Sequence, residues 1–302
     1  MNPKLSVIIT AKNFQDPKLW DLLDSMDKQT FRDFEIDVVT EGNSESAKAI
    51  GVKRAAGEII CILASDNYLN DPEFFEKCLK PFETQKVTGA FPIRYFYDRK
   101  DNILNRYFAL FGVNDPVPLY LHKNDRQTYY DDEIFGYPTF LGYKNHFIAK
   151  LDKIPTMGDN GFFIRKDRLM EADIDHYYHI DVCQDLFEKG YNRYGVVSTS
   201  IWHKTGNNFL KFFWKRFRYA DQYANNRRWK MVTKKDLPRL IFFILSTLTL
   251  IYPLYLSIKG YRIVKDKAWF LHLPVCLITT GVYGAWTLKR LMNYILGLRK
   301  NI

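Results

Sequence analysis

Two stretches near the C-terminus contain no Asp, Glu, Lys or Arg: residues 240–258 form a run of 19 and residues 268–288 a run of 21. As helices rising about 1.5 Å per residue, each is long enough to cross a hydrocarbon layer of roughly 30 Å. Each contains a proline, Pro253 or Pro274, which lipid-buried helices tolerate better than water-exposed ones. The competing expectation is a buried helical hairpin of a soluble domain. Basic residues flank both runs: Arg227, Arg228, Lys230, Lys234, Lys235 and Arg239 before the first, Lys259, Arg262, Lys265 and Lys267 between them, and Lys289, Arg290, Arg299 and Lys300 after the second. The positive-inside bias then favours a cytoplasmic N-terminal part but leaves the connecting loop's charge on the wrong face, a conflict that a re-entrant hairpin would remove.

Just before these runs, Phe209, Leu210, Phe213, Trp214 and Phe217 fall on one side of a 3.6-residue helix, with Lys211, Lys215 and Arg218 on the other. That is the pattern of a helix lying in a membrane interface, or of one packed on the preceding domain. The expected organisation is a first domain over 1–205, a basic amphipathic helix and linker over 206–236, and a membrane-anchoring helical hairpin over 237–302.

The first domain alternates short apolar runs with helical stretches. Residues 5–10, 36–39 and 59–63 are expected strands. Residues 17–28, with Leu19, Leu22, Leu23 and Met26 on one face, and 45–56 are expected helices. This alternation implies an α/β fold with a mostly parallel central sheet and ligands at the strand carboxyl ends. Residues 114–143 hold Pro116, Pro118, Gly136, Pro138 and Gly142 and are expected to form a long loop. Its acidic cluster, Asp131, Asp132 and Glu133, is expected to be solvated rather than metal-binding, because adjacent carboxylates repel one another.

A formal charge of +10, interleaved with aromatic residues from Lys204 onward, suits nucleic acid or an anionic lipid surface. The neighbouring apolar runs favour lipid, and no nucleic-acid module is recognisable. Cys61, Cys78, Cys183 and Cys276 have no metal-site spacing and are expected to be reduced and buried. The N-terminal residues lead directly into the first strand rather than a secretory signal, so the first domain is expected to stay on the side where it is made.

Polar residues cluster after the expected strands: Thr10-Ala11-Lys12-Asn13, Thr40-Glu41-Gly42-Asn43-Ser44 and Ala64-Ser65-Asp66-Asn67, with Asp181 and Trp202-His203 further on. The run LSVIITAKNFQDPKLWDLLDSMDKQTFRDFEIDVVTEGNS, then AIGVKRAAGEIICILASDNYL, resembles the family 2 glycosyltransferases of the GT-A fold. Those read SVIIPxYN, a helix ending in QT, a strand and DDGS, then GE and a strand ending in DxD. The resemblance spans residues 5–203, because MGDNGFFIRKDRL and DVCQDLFEKGYNRYGVVSTSIWH are similar to the family's acceptor-side half.

The resemblance implies sugar transfer from a UDP- or GDP-sugar, inverting and dependent on a divalent cation, manganese or magnesium. Thr10, Ala11, Glu41, Asn43, Lys48, Ser65 and Asp66 match positions that bind the nucleotide sugar. Asp66 and His203 match metal-ligand positions, and a divalent ion there would neutralise charge developing on the leaving diphosphate. Asp66 is alternatively a cap for a helix near 71–80. The chain departs from the family pattern at Ala64, which replaces the first Asp of DxD, at Glu41-Gly42-Asn43-Ser44 and at Lys48-Ala49, and these changes put the donor's identity in doubt. The family's base, the Asp of an ED pair, aligns with His179, while the nearest carboxylate is Asp181. Either is a candidate base, and Asp181 is alternatively a helix N-terminal acid balancing the dipole. Asp159 and Asn160 are candidate acceptor contacts.

The expected acceptor is a polyprenyl phosphate or lipid-linked glycan at a membrane, in polysaccharide or glycoconjugate synthesis. A phosphate acceptor is already ionised and would need no base. The rival expectation is a catalytically inactive GT-A membrane scaffold, which the substitution at Ala64 favours.

Overall fold

The computed structural model describes the chain except residues 1, 125, 135–136, 139–144, 154–155, 207, 227–231 and 297–302, with side chains of 137–138 and 222–226 also outside the description. The strands are β1 (Leu5–Thr10), β2 (Phe34–Val39), β3 (Ile59–Ala64), β4 (Asn67–Tyr68), β5 (Gly89–Tyr95), β6 (Glu133–Ile134), β7 (Tyr137–Pro138), β8 (His146–Lys150), β9 (Phe162–Arg165) and β10 (Arg193–His203). Helices α1 (Pro17–Asp27), α2 (Ser44–Arg54), α3 (Phe74–Leu79), α4 (Ile103–Phe111), α5 (Pro116–Tyr120), α6 (Lys166–Leu169) and α7 (His179–Glu188) lie among them. After β10 come α8 (Phe209–Asn226), α9 (Leu237–Thr249), α10 (Ile251–Ile263) and α11 (His272–Ile295).

The main sheet runs β2-β1-β3-β9-β5-β10-β4, with β8 also on β10. The expectation of a mostly parallel sheet is corrected. β1–β2, β1–β3 and β5–β10 are parallel, but β9 inserts antiparallel between β3 and β5, and β4 and β8 both run antiparallel to β10. The parallel pairs come from the N-terminal βαβ units, whose crossovers are helical. β1 is buried along its whole length. Its alternation sends Ile8 to a core under α2 and α7, and Val7 and Ile9 to a second core under α1 and α3.

A third core joins the first domain to the C-terminal helices. Tyr107, Phe111 and Tyr120 from α4 and α5 cluster with Phe243, Leu256, Trp269 and Cys276. Residues 114–143, expected as loop, therefore contain α5 and the β6–β7 hairpin, while 135–136 and 139–144 lie outside the described residues. In the acidic cluster, Asp131 pairs with Lys259 at 3.4 Å and Asp132 with Arg94 at 3.8 Å. All four cysteines are free and buried.

The stretch 240–258 is not one straight helix. It breaks between α9 and α10, which meet at 84°, with Leu250 at φ 60°. Lys267–Ile295 is a continuous helical segment of 29 residues, long and apolar enough to cross a membrane. The flanking residues Arg227, Arg228, Lys230, Arg299 and Lys300 lie outside the described residues.

Where α10 turns back, Gly260 lies flat on the Trp269 ring, and a Cβ there would come within 2.4 Å of it. Gly260→Ala is therefore expected to cost about 1–3 kcal/mol through overpacking, read as a lower thermal midpoint in detergent. An unchanged midpoint would show that Trp269 can move aside.

Candidate active site

The polar strand ends converge on one cleft of about 1640 Å³. At one end lie Thr10 and Ala11 from the end of β1, Glu41 and Asn43 from the turn after β2, and Ser65 and Asp66 after β3. The C-terminal helices also line it, with apolar Phe243 and Ile244 of α9 and Leu288 and Leu291 of α11. The strand-end residues meet because the parallel β1, β2 and β3 all end on the same edge.

Asp66 and His203, 137 positions apart in sequence, are brought together by the short β4–β10 ladder, in which His203 pairs with Asn67 and Trp202 with Tyr68. His203 Nε2 lies 3.4 Å from Asp66 Oδ1, and the Asn114 amide sits 3.2 Å from His203 Nδ1. Burial alone would raise the Asp66 carboxyl, but His203, Lys215 and Lys18 outweigh it and hold it at about 2. Lys211, Lys215 and Arg218, expected on the polar side of this helix, all line the cleft. The inward face of α8 is instead Phe212, Arg216 and Ala220, while Leu210 and Trp214 point outward.

A carboxylate and an imidazole on one open wall suit a divalent cation whose remaining ligands come from a bound ligand and water. No group of three or more potential metal-binding side chains occurs among the described residues. Asp66 and His203 thus fit such an ion as a partial ligand set. Ala64, two positions before Asp66, adds no second carboxylate.

Glu41 is tied to Arg54 at 2.9 Å. The Asn43 side chain caps α2, accepting from the Glu45 and Ser46 amides at 3.0 Å each. Ser65 donates to Asp16 at 3.2 Å.

Lys48, expected to touch the donor, has no exposed side-chain surface and does not line the cleft. Its Nζ donates to Glu45 Oε1 at 3.1 Å and to Asp159 Oδ2 at 3.2 Å. Burial opposes the charge on Lys48, yet Asp159 and Glu45 outweigh it and push the ammonium well above its usual range. Glu45 is likewise desolvated, but Lys48 and His179 hold its carboxyl well below the usual range. Lys48→Met would leave two partly buried carboxylates uncompensated, and a loss of about 2–4 kcal/mol is expected, read by thermal melting at neutral pH. The Glu45 share is present above its unfolded value of about 4.3 and fades as pH falls through the depressed folded value. The gap between wild type and variant should therefore narrow in acid. A variant as stable as wild type at neutral pH would show that the carboxylates can reach water instead.

Glu45 also holds His179. Its Oε2 accepts from the His179 backbone amide and its Oε1 lies against His179 Nδ1, both at 3.0 Å. A carboxylate accepts only, so Nδ1 carries a proton, and in the neutral ring Nε2 is the acceptor. His179 lines the cleft. Gly158, at φ +116°, passes so close that a Cβ there would sit 2.9 Å from the His179 carbonyl.

The expectation for Asp181 differs from its placement. Asp181 is fully buried in the first turn of α7 and is not part of the cleft lining. Because α7 begins at His179, the third helical position turns inward, where an acid still complements the helix dipole. Asp159 and Asn160 line the cleft, and both are engaged within the protein: Asp159 by Lys48, and Asn160 by the Asn67 side chain at 3.0 Å and by Arg126, which donates to its carbonyl at 2.7 Å.

Glu45, Lys18 and Asn114 were not expected at the site. The i,i+3 spacing of Glu45 and Lys48 was the one available sign, and it reads equally as a surface pair.

No protein-family model matches the chain, and no curated protein matches it. Among solved structures, it is similar to the mannosyltransferase PcManGT from Pyrobaculum calidifontis in complex with GDP-Man and Mn2+, at 13% identity and TM-score 0.46, covering 99% of this chain and 82% of that one. It is also similar to S. aureus TarS 1-349 in complex with UDP-GlcNAc, at 14% identity and TM-score 0.43, covering 97% and 92%. A mycobacterial protein aligns at 15% identity and TM-score 0.45, over 74% and 75%. At these values the likeness assigns no activity to this chain.

Proposed function

We propose that this protein is a membrane-associated glycosyltransferase that moves a sugar from a UDP- or GDP-sugar to a polyprenyl-phosphate or lipid-linked glycan acceptor. The observation that carries this reading is one cleft lined both by Asp66 and His203, which meet there, and by apolar residues of α9 and α11. The nucleotide would lie along Thr10, Ala11 and Asn43, with Lys18 and Lys215 offsetting diphosphate charge. Asp66 and His203 would hold a manganese or magnesium ion, which when bound supplies charge neutralisation for the departing diphosphate.

For a hydroxyl acceptor, His179 is the base on this reading, because it lines the cleft and Glu45 fixes its tautomer. Its Nε2 takes the hydroxyl proton as the oxygen bonds to the anomeric carbon, and the bond to the diphosphate breaks with its electron pair leaving on the diphosphate oxygen. Such a displacement inverts the anomeric centre. The exposed apolar surface of α9–α11, including Leu245, Leu248, Ile251 and Ile295, is larger than isolated surface residues explain and supports a lipid-facing side.

The test is nucleoside diphosphate release from a panel of UDP- and GDP-sugars with manganese or magnesium and lipid acceptors. Release from one donor, abolished by chelator, is the expected result. No turnover and no donor binding across the panel would leave the inactive scaffold as the reading.

A further inference from the structure

Building on the membrane reading above, we infer that the C-terminal helices enter a single leaflet of an anionic bilayer and never cross it, so that every connecting segment stays on the side of the catalytic cleft. The turn after α10 is fastened to the first domain. Tyr97 donates to Asp266 at 2.6 Å, Arg106 pairs with the same carboxylate at 3.2 Å, and Arg99 donates to the Lys265 carbonyl at 3.4 Å. A chain that had crossed the bilayer by residue 264 could not make those contacts. Helices α9 and α10 have 13 residues each, about 20 Å apiece. Neither spans roughly 30 Å of hydrocarbon alone, and the 84° bend sets them nearly perpendicular, so they do not continue as one straight span.

Helix α11 is long enough to cross, yet it is fastened along its length. Tyr107 and Tyr120 hold His272 at 3.0 and 3.2 Å, and Tyr283 donates to Asp115. Trp286 donates to Asp221 of α8 at 2.7 Å. Beyond that point the described part of α11 continues over residues 287–295, about 14 Å of helix.

Exposure agrees with a wedge. Leu248 and Ile251 at the bend are 66% and 71% exposed, whereas Arg239, Lys259, Arg262 and Lys265 lie at the ends remote from it. In this arrangement the bend dips into acyl chains and the basic ends meet anionic headgroups. The basic loop between the apolar runs is then on the same face as the other basic flanks, and no charge sits on the wrong side.

Single reporter cysteines test this, because the four native cysteines are buried and wild type supplies the background. Lys86→Cys, Lys265→Cys, Lys289→Cys and Thr249→Cys would be treated with a membrane-impermeant maleimide in spheroplasts and in inverted vesicles of a bacterial host. The expected result is that positions 86, 265 and 289 label from the same side only, and that position 249, at the bend, is shielded from both. Labelling of position 265 or 289 from the side opposite position 86 would overturn the one-leaflet arrangement while leaving membrane association intact. Flotation with vesicles containing anionic lipid separates the two failures, since a chain that does not float ends the membrane reading and this inference together.

Discussion

Asp66→Ala is expected to lower nucleoside diphosphate release roughly 10²–10³-fold, the range seen when one preorganised group facing developing charge is removed. The side chain pairs with His203 and its pKa is held low in the fold, so some thermal stability should be lost as well. The main-chain carbonyl, which accepts from the Lys204 amide at 2.8 Å, is unaffected by the change, so the variant should still fold, and the rate is read on folded protein. Loss of the carboxylate leaves His203 facing the donor without its anionic neighbour, and a divalent cation then has only one protein ligand of the proposed pair. Dependence on added metal should shift to higher concentration along with the loss of rate. Activity within a few fold of wild type would remove Asp66 from the reaction and with it the proposed metal position.

His179→Asn is expected to cost roughly 10²–10⁴-fold in transfer to a hydroxyl acceptor, the usual weight of a positioned base. Asparagine retains a side-chain donor that can reach Glu45 but has no acceptor nitrogen for the acceptor's proton. Asp181→Asn serves as the contrast. The residue is fully buried in the first turn of α7, so its variant should lose stability and keep kcat within a few fold. The reverse pattern, with Asp181→Asn inactive and His179→Asn active, would return the base to Asp181. Full transfer by both variants would point to an acceptor that arrives ionised, as a phosphate does.

Much of the first domain was legible because its signals are local. The run at β1 is apolar at four of six positions, and the polar residues after β1, β2 and β3 had to share an edge once those strands paired in parallel. The meeting of Asp66 with His203 was legible only through resemblance, since nothing near either residue announces the β4–β10 ladder. Lys48 was misplaced for a physical reason: lysine is almost never fully buried unless paired, and its second partner, Asp159, lies 111 positions away. The choice between His179 and Asp181 depended on where α7 starts, and helix boundaries are poorly encoded by composition. The break at Leu250 was hidden as well, because a leucine at positive φ leaves no trace in a hydrophobic run.

The core shared by α4, α5 and the last helices also orders events in time. During synthesis the strands can pair as they emerge, but Phe111, which has Tyr107 and Tyr130 nearby, stacks on His272 at 4.1 Å and meets Trp269 at 4.8 Å only after some 160 further residues have left the ribosome. Until then the apolar sides of α4 and α5 lack their C-terminal cover. Completion of this third core is therefore a late step of maturation, and a nascent chain stalled before residue 269 would carry a finished strand-end edge on an unfinished body.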